Sequence, residues 1–115
     1  MSTSVSDRRE EELELELKRL LVRLIPQYQP DEVILFGSLA QGEVRVWSDL
    51  DLIIIKDTPK RFLDRTAEVL EFIDPRVGAD ILVYTPEEFE QLCRERPFFK
   101  EEIMAKGRVI YERDG

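Results

Sequence analysis

Apolar positions along the chain follow two periods, and the alternation between them lays out the elements. From about Ser6 to Ile25, Leu13, Leu17, Leu20, Leu21 and Leu24 recur at steps of three and four, the spacing of one helical stripe. The Leu13, Leu15, Leu17 alternation alone would suit a strand, but the longer stripe decides for a helix. Ser6 or Asp7 can cap its start. Glu10 to Glu12 lie in the early turns and Lys18, Arg19 and Arg23 in the late ones, an order that complements the helix dipole. Pro26 restricts the residue before it and predicts a helix end at Ile25. Leu15 and Val22 then fall opposite the stripe, as ordinary surface apolar residues or as a contact face for a partner. Residues 1–5 read as a disordered terminus.

Val33 to Phe36 predict a first strand, and Ser38 to Gln41 a single helical turn closed by Gly42. Asp49 to Lys56 predict a second strand, apolar on both faces after Asp51, as a central strand should be. Pro59 suits the first turn of a helix whose buried side is Phe62, Leu63, Thr66, Ala67, Leu70 and Ile73, with Asp74-Pro75 as its end. A third strand, Asp80 to Tyr84, has Asp80, Leu82 and Tyr84 on one face and Ile81 and Val83 on the other. Thr85-Pro86-Glu87-Glu88 is a capping box opening a helix that turns Phe89, Leu92 and Cys93 inward. Pro97 divides it from a second helix, Phe98 to Lys106, which Gly107 ends in the left-handed conformation. Arg108 to Glu112 predict a last short strand at a sheet edge. The fold class is α/β, a small mixed β-sheet flanked by helices. No repeat or linker interrupts the chain, so residues 1–115 read as a single domain.

Composition narrows the chemistry. Hydrophobic residues at 43% and charged residues at 37% suit a globular domain and argue against disorder. A net charge of −8 repels phosphate backbones, which speaks against a general nucleic-acid binder. Cys93 is the sole cysteine and there is no histidine, so an intrachain disulfide, a cysteine zinc cluster and histidine-based triads are all excluded. The start is polar and then acidic, and the longest apolar run, Leu52 to Ile55, is too short for a membrane span. The expectation is a cytoplasmic protein with no membrane partner.

The candidate chemistry lies between Leu35 and Ile55, with one addition downstream. Gly37-Ser38 follows a strand and can offer backbone N–H groups and a hydroxyl to an anion. Asp49 and Asp51 are two residues apart and face the same side of the second strand. Asp80 opens the third strand, so if the two strands are neighbours the three carboxylates converge at one end of the sheet. Like charges about 4 Å apart repel by roughly 4 kcal/mol at an effective dielectric constant of about 20. A hard divalent cation such as Mg²⁺ or Mn²⁺ relieves that repulsion. Taken singly, each aspartate has a plainer reading: Asp49 caps a turn, Asp51 pairs with Arg45 or Arg76, and Asp80 ends a strand in solvent. The combination with Gly37-Ser38 is what points to a nucleotide site.

Gly37-Ser38, ten intervening residues and Asp49-x-Asp51 resemble the signature of the DNA polymerase beta-like nucleotidyltransferases. Gly-Ser-Leu-Ala-Gln-Gly and Ser-Asp-Leu-Asp-Leu are similar to its minimal nucleotidyltransferase (MNT) branch, and Asp80 in Ala-Asp-Ile-Leu-Val matches the family's third carboxylate. The segment from Pro97 to Glu112 is also similar, so the likeness covers about Val33 to Glu112. The resemblance implies transfer of AMP from ATP to a hydroxyl. Asp49 and Asp51 would bridge two Mg²⁺ ions, Asp80 would complete the site and help take the acceptor's proton, and Gly37 and Ser38 would hold the β- and γ-phosphates. Relatives often carry arginine where this chain has Gln41, and Arg45 or Arg76 are the candidates to replace that charge. Trp47 reads as packing before a strand, with base stacking as the alternative.

The branch also implies a partner. Its members commonly act as antitoxins of small all-helical HEPN-type toxins, some by adenylylating a tyrosine of the toxin. Little beyond the catalytic fold is present, so acceptor recognition is expected from that partner or a second copy of the chain, with Leu15 and Val22 as contacts. The alternatives are a non-catalytic module that neutralises its partner by contact and an aminoglycoside-type enzyme acting on a small molecule.

Overall fold

The computed structural model describes residues 4–114, and the element order is α1 (Val5–Tyr28), β1 (Glu32–Phe36), α2 (Gly37–Gln41), β2 (Leu50–Ile55), α3 (Phe62–Ile73), β3 (Ala79–Tyr84), α4 (Pro86–Glu95), α5 (Phe99–Met104) and β4 (Arg108–Glu112). The strands form one sheet in the order β3-β2-β1-β4. β1 runs antiparallel to β2 and β4, while β2 and β3 are parallel. The small mixed sheet flanked by helices is the architecture the sequence implied, with β4 at an edge.

β2 is central because both its faces are covered. Leu50, Leu52 and Ile54 pack with the α1 stripe Leu13, Leu17, Leu20 and Leu24, and with Val69 and Ile73 of α3. Ile53 and Ile55 pack on the other face with Phe99 and Ile103 of α5. Each buried aliphatic side chain contributes about 1.5–3 kcal/mol, so a strand with two apolar faces is held more firmly than an edge. Leu15 and Val22 are exposed, as the stripe requires.

α1 differs from expectation at both ends. Its cap is Ser4, whose hydroxyl accepts the Asp7 N–H at 3.0 Å, rather than Ser6 or Asp7. Ser4 and Val5 thus belong to the helix start, whereas the rest of the expected disordered terminus, residues 1–3, lies outside the described residues. Pro26 does not end the helix, which continues to Tyr28. Pro26 and Val22 are both exposed, so water can satisfy the carbonyl that lost its donor, and the buried Tyr28 ring anchors the extra turn. Gln29 closes it in the left-handed conformation, donating its N–H to the Ile25 carbonyl.

Three further expectations are corrected. α3 starts after Arg61, because Thr58 accepts the Lys60 N–H and holds Pro59 in a turn before the helix. Its buried face is Arg65, Val69 and Ile73, flanked by Thr66 and Phe72; Leu63 is 78% exposed, and Phe62, Ala67 and Leu70 are also on the exposed side. The Arg65 guanidinium chooses that face by donating to Glu88 of α4 at 2.6 Å, to the Lys60 carbonyl at 2.7 Å and to the Val83 carbonyl at 3.3 Å. α5 is wound as a π-helix, with the Ala105 N–H reaching Lys100. Gly107 is not left-handed; a Cβ there would lie 2.4 Å from the Ile103 carbonyl oxygen, so close approach is what requires glycine. The Thr85–Glu88 capping box forms as expected. No helix among the described residues is long and apolar enough to cross a membrane.

Candidate active site

β1 delivers the chain to Gly37, where φ is +76° and α2 begins. Phe36 is the register partner of Asp51, and a Cβ on Gly37 would sit 2.1 Å from the Asp51 Oδ2. Glycine is therefore required twice over, by the backbone conformation and by the carboxylate against it. Gly42 closes α2 at φ +70°, and the Glu43 N–H returns to the Ser38 carbonyl at 2.9 Å. The predicted Ser38–Gln41 turn thus exists, one residue longer at its start.

Asp51 and Asp80 are register partners across the parallel β2–β3 pair and so share one face of the sheet. Burial, side-chain interaction with Asp80 and the negative charges of Asp80 and Asp49 push the Asp51 carboxyl up to about 6. Asp49 precedes β2 rather than opening it. The Leu50 N–H donates to the Gly78 carbonyl at 3.0 Å, and a Cβ on Gly78 would lie 2.4 Å from the Asp49 Oδ1. The chain entering β3 is thereby laid directly along Asp49.

All three aspartates gather at one end of the sheet, but as a pair and a neighbour. Asp51 and Asp80 abut each other, while Asp49 is held by Arg9 of α1. The Arg9 Nε donates to the Ser48 carbonyl at 2.8 Å, and its Nη2 donates to the Asp49 Oδ1 at 3.3 Å. Among the described residues no three acidic side chains are already arranged as a metal cage. The donor set nevertheless fits a hard divalent cation: every side-chain donor is a carboxylate oxygen, and Asp51 and Asp80 repel each other unless a proton or a cation intervenes.

The ion pairs proposed as plainer readings of Asp51 do not form: neither Arg45 nor Arg76 bridges to it. The Arg76 N–H instead donates to the Glu16 carboxylate, which Arg19 also grips at 2.6 Å. Trp47 does not pack; it is 75% exposed, with Val46 beside it at the tip of a tight turn. Ser48 builds that turn, its hydroxyl accepting the Arg45 N–H at 2.8 Å and its N–H donating to the Arg45 carbonyl at 3.0 Å. Arg9 was not anticipated, lying forty residues before Asp49. Its one signal is its place: an arginine near a helix N-terminus faces the unfavourable end of the dipole and needs another reason to be there.

Known proteins resemble this chain in sequence and in fold. The family described as "Polymerase beta, Nucleotidyltransferase" matches residues 18–115. The Haemophilus influenzae protein named "Probable protein adenylyltransferase MntA" is 37% identical over 93 residues, which cover 77% of this chain and 78% of that protein. A Methanocaldococcus jannaschii protein with the provisional name protein adenylyltransferase MJ1305 is 37% identical over 87 residues, covering 71% of this chain and 58% of that protein. Among solved structures, a Sulfolobus solfataricus protein provisionally described as a nucleotidyltransferase superposes with a TM-score of 0.71, over 97% of this chain and 91% of that one. At 17% identity, that last likeness concerns the fold alone. The match over residues 18–115, joined to the MntA likeness, establishes that this chain belongs to the polymerase beta nucleotidyltransferase family, as an enzyme of the MNT type.

Proposed function

We propose that this nucleotidyltransferase moves AMP from ATP to a tyrosine hydroxyl of a small HEPN-type helical toxin, and so acts in the cytoplasm as that toxin's antitoxin. The observation that carries the reading is the Asp51–Asp80 pair: two carboxylates in register, pressed together beside Gly37 with the third, Asp49, next to them. Such crowding opposes stability, and a divalent cation held between the carboxylates would relieve it. The names of the two relatives, both protein adenylyltransferases, support a protein acceptor. So does the openness of the site, since Asp49 and Asp80 are both exposed.

In this reading Asp49, Asp51 and Asp80 would hold two Mg²⁺ ions, and the Gly37 N–H and the Ser38 hydroxyl would hold the β- and γ-phosphates. Bound there, the ions would supply charge neutralisation at the α-phosphate and on the departing pyrophosphate. The acceptor oxygen forms its bond to the α-phosphorus as the bond to the β-phosphate bridging oxygen breaks. Asp80, the most open carboxylate of the Asp51–Asp80 pair, receives the acceptor's proton. The chain's remaining contribution is positioning, which suits a protein without histidine.

The test is mass mapping of the acceptor. A small HEPN-type helical protein, the proposed acceptor, is purified after co-expression with wild type or with Asp51→Asn. The reading expects an AMP adduct on a tyrosine with wild type and none with Asp51→Asn. An unmodified acceptor that is nonetheless neutralised by both forms would instead support action by contact alone.

A further inference from the structure

We infer that Arg9 is a phosphate-binding residue of the nucleotide site, held on Asp49 until the nucleotide arrives; this rests on the nucleotidyltransferase reading above. Arg9 sits in the second turn of α1, next to Arg8, where the helix dipole and a like charge both oppose it. Its side chain is nevertheless only 18% exposed. A cation kept there against those terms is held by specific partners, and the two it hydrogen-bonds, Ser48 and Asp49, belong to the mouth of the site.

The two bonds are unequal. Nε donates to the Ser48 carbonyl at 2.8 Å, an oxygen already fixed in place by the Arg45–Ser48 turn. Nη2 reaches the Asp49 Oδ1 at 3.3 Å, and Nη1 lies 3.7 Å from the exposed Glu12. The Ser48 bond is therefore the anchor, and the two outer nitrogens make the longer contacts. When Asp49 turns to a cation, the anchor keeps the guanidinium in place and frees its outer edge, a planar pair of donors suited to a phosphate.

Charge balance asks for such a group. Three carboxylates and a triphosphate carry more negative charge than two divalent cations offset. Gln41, at the end of α2, contributes none, and Arg9 is the one basic side chain among the described residues that is paired with any of the three aspartates. Its position on Asp49 is thus a waiting position: it neutralises the carboxylate in the absence of metal and is already beside the phosphates when the metal binds.

Calorimetric titration of wild type, Arg9→Gln and Arg9→Lys with Mg·ATP tests this, together with titration of Mn²⁺ alone and urea unfolding in chelator. Arg9→Gln is expected to weaken Mg·ATP binding by about tenfold, the worth of a charge-assisted hydrogen bond. Arg9→Lys should recover part of that loss. Mn²⁺ alone should bind Arg9→Gln at least as tightly as wild type, because a competitor for Asp49 has gone. Mg·ATP affinity unchanged in Arg9→Gln overturns the inference while leaving the nucleotidyltransferase reading intact. Parallel loss of Mn²⁺ and Mg·ATP affinity, with no rescue by lysine, also overturns it and reduces Arg9 to a clamp on the turn. A wild type that binds no Mg·ATP sinks the nucleotide reading itself, and this inference with it.

Discussion

Replacing Asp51 with asparagine should stabilise the metal-free fold while removing activity. The folded chain lifts this carboxyl from an ordinary 3.8 to about 6, first through burial and then through Asp80 and Asp49. A group whose folded pKa is raised binds its proton more tightly when folded, so its ionisation opposes folding. Stability should therefore fall as pH rises from about 4 to about 6 and stay level above that. In full, the gap from 3.8 to about 6 would amount to about 3 kcal/mol, at about 1.4 kcal/mol per tenfold change in proton affinity. Asp51 is only partly buried, so solvent screening reduces the expected penalty to about 1–2 kcal/mol. The assay is urea unfolding in chelator between pH 4 and pH 8 for wild type and Asp51→Asn. Asp51→Asn should be more stable by about 1–2 kcal/mol at pH 7.5 and lose most of that advantage at pH 4. Mg²⁺ should then stabilise wild type more than the variant. A variant less stable than wild type at pH 7.5, with the same pH slope, would refute the account of a strained carboxylate pair.

Other parts of the molecule give independent checks. Glu16 is buried and joins α1 to the turn before β3, accepting from Arg19 and from the Arg76 N–H; Glu16→Ala should cost about 2–3 kcal/mol in urea unfolding, and a cost below about 0.5 kcal/mol would contradict that role. Hydrogen bonding from Arg65 holds the Glu88 carboxyl below its ordinary 4.5, with the Thr85 N–H adding to it. The Glu88 contribution is accordingly full above pH 4.5 and lost as pH falls through the lower folded value, so Glu88→Gln should flatten the acid limb of wild-type stability; an unchanged limb would count against it. Tyr28 carries a buried hydroxyl without a hydrogen-bond partner among the described residues, and Tyr28→Phe should leave thermal stability equal or raise it by up to about 1 kcal/mol, whereas a loss above about 1 kcal/mol would reveal a partner.

The features legible in the sequence were those set by strict local rules. Alternation placed Asp80 with Leu82 and Tyr84, and the parallel register then set it against Asp51. The capping box at Thr85 and the leucine stripe of α1 depend on fixed spacings and formed as read. What escaped depends on tertiary partners. Pro26 signals a stop because propensity registers the missing donor but not the buried Tyr28 beyond it. The face of α3 is ambiguous in the sequence because apolar residues surround that helix, and a buried arginine paired with Glu88 decides it. Arg9 could not be joined to Asp49 by pattern, since α1 must first be docked on the sheet for the two to meet. The aspartates of the site were thus readable as residues, while the cation that holds one of them was not.

The most direct test of the central claim compares ATP labelled in the α-phosphate with ATP labelled in the γ-phosphate, each incubated with Mg²⁺, this chain and the HEPN-type helical protein proposed as its acceptor. Nucleotidyl transfer through Asp49, Asp51 and Asp80 predicts that only the α-label becomes attached to that acceptor, and that Asp49→Asn and Asp51→Asn each abolish it. Transfer of the γ-label, or α-label that persists in both variants, would contradict the account.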